Sequence, residues 1–129
     1  MKGYKGFEKG LVCKGKQYAE NTVFEEESAE ICKSGMHFCK RPIDVLSFYP
    51  PCDGDGNLND FCEVEALDEA LTDDDIKYCT KKLKVGAKIG IVGLINAEVE
   101  YIKREIAKMP EELKSVNSGD SSSAVNSGY

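Results

Sequence analysis

Over residues 61–67 and again over 79–91 the apolar side chains alternate, and a period of two commits both stretches to a sheet with one buried face. Cys62, Val64 and Ala66 share one parity, with Glu63 and Glu65 on the other. Cys79, Leu83, Val85, Ala87, Ile89 and Ile91 again share a parity, with Lys82, Lys84 and Lys88 opposite. Residues 61–67 therefore predict a half-buried strand. Residues 79–91 predict one long strand, or two strands bent near Gly86 or Gly90.

Shorter β-rich pieces precede these, at residues 4–7, 11–13, 22–24 and 36–39, with Gly3, Gly6, Gly10 and Gly15 as punctuation. Pro42 suits a helix start, Ile43, Val45, Leu46, Phe48 and Tyr49 supply an apolar face, and Pro50-Pro51 stops it. Ile95, Val99, Ile102, Ile106 and Met109 recur at spacings of four and three, the mark of an amphipathic helix ending at Pro110. The expected fold class is α+β: a twisted, mostly antiparallel sheet carrying one short and one longer C-terminal helix, tied by zinc. Residues 1–110 would form this domain. Residues 111–129 read as a flexible Ser/Gly-rich tail or the start of a nine-residue repeat, since Val116-Asn117-Ser118-Gly119 returns as Val125-Asn126-Ser127-Gly128.

No apolar run approaches the roughly 18 residues of a membrane span, so no membrane association is expected. The first twelve residues mix Lys, Gly and aromatics without the apolar core of a signal peptide, which predicts a reducing cytoplasm. There, six cysteines are better read as thiols or metal ligands than as three disulfides.

The chain's single histidine lies in Cys32-Lys33-Ser34-Gly35-Met36-His37-Phe38-Cys39, between two of those cysteines. Thiolates and imidazole are the donors Zn²⁺ prefers. Side chains two apart on a strand share a face, so His37 and Cys39 would point together, and Cys32 could fold back through the Ser34-Gly35 turn. Cys13 is the expected fourth ligand and Cys62 the reserve. Four protein ligands make a closed, structural site with no position open for hydrolysis.

Residues 53–75 hold ten carboxylates and no Lys or Arg, within a chain of net charge −6. Such a block repels nucleic acid and steers toward basic protein surfaces, so direct nucleic-acid binding is not expected. The expected contact residues are Asp53, Asp55, Asp60, Asp68, Glu69, Asp73, Asp74 and Asp75. Asp53, Asp55 and Asn57 match three positions of a calcium loop, but Leu58 stands where Gly is needed and Val64 where a bidentate Glu is needed. Asx-type turns are the better account of that loop.

Catalytic signals are sparse. No Gly-rich phosphate loop is present, and a Cys–His nucleophile pair would have to use His37. His37 and Tyr49 with Glu65, from the Glu63-Val64-Glu65 triplet, are similar to the His, Tyr and Glu set of ADP-ribosyltransferases. In those enzymes, His and Tyr hold the dinucleotide and Glu fixes the nicotinamide ribose. This is the enzymatic alternative.

Gly3-Tyr4-Lys5-Gly6-Phe7, the Cys32–Cys39 segment, Pro42-Ile43-Asp44-Val45 and Cys62-Glu63-Val64-Glu65-Ala66-Leu67 follow one another in order. Together they resemble an uncharacterised domain family of bacteriophages and prophages, whose members often carry repeats like the one at this C-terminus. The resemblance implies the cytoplasm of an infected or lysogenic bacterium and no activity. In size and charge the chain is also similar to anti-CRISPR proteins. The leading expectation is a non-enzymatic inhibitor whose acidic surface binds a host defence protein such as a CRISPR effector nuclease. A structural module of a repeat-bearing phage protein is a further alternative; the oligomeric state is left open by these signals.

Overall fold

The computed structural model describes residues 1–31 and 33–113. Cys32 and residues 114–129, including both copies of the repeat, lie outside the described residues. The alternating segments form strands β1 (Lys2–Phe7), β2 (Val12–Cys13), β3 (Lys16–Gln17), β4 (Thr22–Glu25), β5 (Met36–Cys39), β6 (Asp60–Ala66), β7 (Lys77–Thr80) and β8 (Lys82–Lys88). Pro42–Ser47 forms a 3₁₀ helix, and Gly90–Ala107 the helix α1. The α+β class and the mostly antiparallel sheet expected from the sequence are both present.

Six strands build one sheet in the order β4-β8-β6-β1-β5-β7, with each pairing antiparallel. Only Lys81 separates β7 from β8, yet these two stand toward opposite margins of that order. Consecutive Cα atoms are about 3.8 Å apart, so Thr80 and Lys82 are forced to be neighbours. The ladder β7-β5-β1-β6-β8 therefore returns to the strand it left, and the sheet is curled shut. The bend in this long strand falls at Lys81, where the Lys81 and Lys82 carbonyls accept from Glu26 N and Leu67 N. Gly86, the bend site expected from sequence, instead sits at the register slip between Cys62 and Val64, against the Glu63 carbonyl.

Curling divides the apolar residues into two sets. Phe7, Met36, Phe38, Cys62, Val64, Ala66, Tyr78, Leu83 and Val85 fill the inside, joined by Leu11, Cys13 and Tyr18 from the β2–β3 hairpin and its flanks. On the outside Cys39, Val45, Phe61 and Leu94 pack together, bringing the 3₁₀ helix and the start of α1 onto the sheet. Burying a side chain of Phe or Leu size contributes about 1.5–3 kcal/mol, so each of the two sets is a substantial source of stability.

Met1–Glu98 forms one compact unit, and the chain from Val99 forms a second. Helix α1 seats in the first unit through Leu94 and Glu98, which are 0% and 7% exposed. The stripe read as its buried face lies elsewhere on the helix: Ile95, Val99, Ile102 and Ile106 are 40–44% exposed. Periodicity found the helix but not its seat, because Glu98 is buried as a partner of Arg41 and not as an apolar residue.

Candidate functional site

Strands β1 and β5 share a single ladder pair, Tyr4↔Cys39. Along their other edges β1 pairs with β6 over Lys2–Phe7 and β5 with β7 over Met36–Cys39, so the seam between β1 and β5 rests on that one pair. The seam is filled by side chains. Lys5 has the inward parity of Phe7, is 4% exposed, and donates from Nζ to the His37 carbonyl at 2.6 Å. Its ammonium lies 5.5 Å from the ring centres of both Phe7 and Tyr18. From the outer face Tyr49 covers Gly6, where an added Cβ would come within 2.6 Å of the Tyr49 Cβ. Its hydroxyl reaches the Cys13 thiol at 3.1 Å.

A cavity of about 80 Å³ opens at this seam, and an adjoining cleft of about 270 Å³ shares Lys5, Cys13, Lys14 and His37 with it. The cavity wall carries Lys5, Lys14 and Lys77 and no carboxylate among the described residues. Lys14 reaches it from an unusual backbone. At φ +51°, followed by Gly15 at φ +77°, it forms the two-residue turn that joins β2 to β3. A left-handed conformation costs a residue with a Cβ about 1–2 kcal/mol.

Electrostatics follow from burial and from these cations. Burial pushes the His37 imidazole down to about 4, helped by Lys14, Lys5 and Lys77. Its Nε2 is buried with no hydrogen-bond partner among the described residues. Lys5 is held below the ordinary lysine range, chiefly by burial, with Cys13 acting against the shift. Tyr49 and Tyr18 are both pushed up, first by burial, so their hydroxyls keep their protons. The site thus combines a buried amine, a neutral imidazole, a thiol–phenol pair and a positive potential.

Of the expected zinc ligands, Cys13, His37 and Cys39 line this same cavity, the reserve Cys62 lies inside the sheet, and Cys32 lies outside the described residues. His37 and Cys39 do share a strand face, but Cys39 packs with Val45, Phe61 and Leu94 outside the sheet, whereas Cys13 and Cys62 belong to the inside. Among the described residues no three His, Cys, Asp or Glu side chains group as metal ligands, and Cys32 lies outside them. Burial pushes the Cys39 and Cys62 thiols up to about 12.

His37 and Tyr49 line one cavity, but Glu65 does not join them. Glu65 pairs with Lys2, four residues along β1 from Gly6 and Tyr49, a displacement of about 13 Å at 3.3 Å per residue. It lines a separate groove with Lys2, Glu63 and Lys84. The ADP-ribosyltransferase-like triad is therefore not assembled.

The acidic block is divided by β6, whose six steps span about 20 Å. Asp53, Asp55 and Asp60 fall before or at its start, and Asp68, Glu69, Asp73, Asp74 and Asp75 follow its end. Several of these carboxylates are structural. Asp53 Oδ1 accepts from the Asp55 and Asn57 amides in the Asx turn expected there. Asp60 Oδ2 accepts from Gly10 N and Leu11 N, and Asp74 Oδ1 from Ile76 N and Lys77 N.

Neither Lys5 nor Lys14 is among the site residues expected from the sequence. Lys5 could have been found by its shared parity with Phe7, and Lys14 by its place before Gly15 in a β-rich run.

The profile of a family described as a domain of unknown function, DUF7666, matches residues 1–97. No curated protein and no solved structure matches the chain.

Proposed function

This chain belongs to the DUF7666 family, and from its own geometry we propose that it is a binding domain for a small anionic molecule, taken into the cavity at the seam of β1 and β5. One observation carries the reading. In a chain of net charge −6, three lysines meet on a cavity wall that carries no carboxylate among the described residues, and the adjoining cleft adds Lys16 and Lys33 against one carboxylate, Glu26. Clefts lined by one sign of charge with apolar walls concentrate ligands of the opposite sign. Cavity and cleft together suit a molecule of a few to a dozen heavy atoms.

Titration with acetate and inorganic phosphate, followed by amide NMR, tests this. The expected result is saturable shifts confined to Lys5, Lys14, His37 and Tyr49, abolished by Lys14→Glu with Lys77→Glu. Shifts that are linear in salt, or unchanged in that double variant, would remove the proposal.

A second reading keeps the acidic contact surface of a phage-encoded, non-enzymatic inhibitor of a host defence protein, but confines it to one end of β6. What favours it is that Asp68, Glu69, Asp73 and Asp75 crowd an exposed loop. Affinity for a basic partner that survives neutralising Asp73 and Asp75, with an unaltered salt dependence, would dispose of it.

A further inference from the structure

We infer that Lys5 is an amine nucleophile that forms an imine with a small aldehyde or 2-oxo acid admitted to this cavity; the inference rests on the anion-binding reading and names its ligand class. Buried lysines are rare unless paired, and Lys5 has no carboxylate within ion-pair distance among the described residues. What it has is the His37 carbonyl at 2.6 Å, the faces of Phe7 and Tyr18, and the Cys13 thiol nearby. A permanently charged ammonium would want more acceptors than this. A neutral amine is served by one carbonyl and keeps a lone pair.

The second component is the cavity wall, which carries no carboxylate among the described residues. Lys14 and Lys77 would hold the carboxylate of a 2-oxo acid while its carbonyl carbon meets Lys5 Nζ. The third is the Tyr49 hydroxyl, on the same wall and hydrogen-bonded to Cys13 at 3.1 Å. Burial depresses the amine, which makes its neutral form easier to reach, and raises the phenol, which keeps its proton. The Nζ lone pair attacks the carbonyl carbon, the C–N bond forms, and the C=O π pair moves to oxygen. A proton passes from nitrogen to that oxygen to give the carbinolamine. Hydroxide then leaves as water with a proton relayed by Tyr49, and loss of the remaining N–H proton restores Tyr49. The balance is amine plus carbonyl to imine plus water, with no oxidant or reductant.

The test uses the full chain with glyoxylate, trapped by cyanoborohydride and mapped by peptide mass spectrometry. Lys5 should be alkylated faster than the exposed Lys81 and Lys103, as burial holds its amine below the ordinary lysine range. Acetate should compete, and Lys14→Glu with Lys77→Glu should slow the reaction. Labelling of surface lysines with Lys5 untouched would overturn the imine. If acetate still gave saturable NMR shifts in that case, anion binding would stand alone. If neither occurred, both readings would fall. Lys5→Arg is a secondary control for the adduct site, and the mapping of the unaltered chain decides the question even if that variant does not fold.

Discussion

Glu98 holds Arg41 with one carboxylate oxygen and the chain start of the 3₁₀ helix with the other. Oε2 accepts from Arg41 Nε and Nη2 at 2.9 and 2.7 Å, and Oε1 from Ile43 N at 3.1 Å. Glu98 is nearly buried while Arg41 is partly exposed, so losing the cation is worse than weakening the anion. Arg41→Ala should lower stability by about 2–3 kcal/mol and Glu98→Gln by about 1–2 kcal/mol, read from urea midpoints at constant m-value. Equal, near-zero effects would mean the pair is only a surface contact.

Lys14 is strained where it is, and strain at a ligand-facing position separates stability from function. Asn tolerates the left-handed region better, so Lys14→Asn should stabilise the fold by about 0.5–1 kcal/mol. The same change should weaken acetate or phosphate binding several-fold. Thermal unfolding and NMR titration on one sample would show both effects, and a variant that binds normally would argue against a role for Lys14.

Tyr49 occupies the space that any side chain at Gly6 would need. Gly6→Ala should cost about 1–3 kcal/mol, because the contact is with the root of Tyr49 and not its flexible end. Adding Tyr49→Ala should not add its full cost, since it also removes the clash. A double-mutant cycle in denaturant measures the difference. Strict additivity would contradict the packing described.

His37 makes stability depend on acid. Its folded value of about 4 lies below the unfolded value of about 6.5, so the unfolded chain takes up the proton first. This contribution is complete above about pH 6.5 and declines as pH falls toward 4. After discounting for the ring's partial exposure it is worth about 1–2 kcal/mol. His37→Gln should flatten the stability profile between pH 6.5 and 4, measured by chemical denaturation. A parallel profile for both proteins would show that the imidazole titrates normally.

Cysteine reactivity should follow position in the sheet. Cys52 is exposed, whereas Cys39, Cys62 and Cys79 are buried and Cys39 and Cys62 are held as thiols. Brief alkylation of the native protein should label Cys52 and spare those three until denaturant is added, as peptide mapping would reveal.

The sheet was legible because period-two alternation survives wherever one face is buried. The strands around Tyr4, Val64 and Leu83 and the Asx turn at Asp53 were read correctly on that ground. The site was not, for two physical reasons. Lys5 has an inward parity with a charged head, so composition assigns it to solvent while the backbone assigns it to the interior. Cys13 and Cys39 are the right elements for zinc, but pattern alone does not say which side of a curled sheet each will face. Glu98 fails in the same way as Lys5: its burial depends on Arg41, fifty-seven residues away in sequence.

Lys81 also bears on how this chain reaches its native state. The strand on either side of it closes both ends of the ladder, so neither β5–β7 nor β6–β8 can be finished as an independent hairpin. Closure requires residues near Met36 and residues near Val64 to find the same segment, with long intervening loops ordered before the reward arrives. Folding should therefore be slow for a chain of this length and arrive in one cooperative event. A proteolytic cut at Lys81 would release both halves together, with no surviving part-folded fragment.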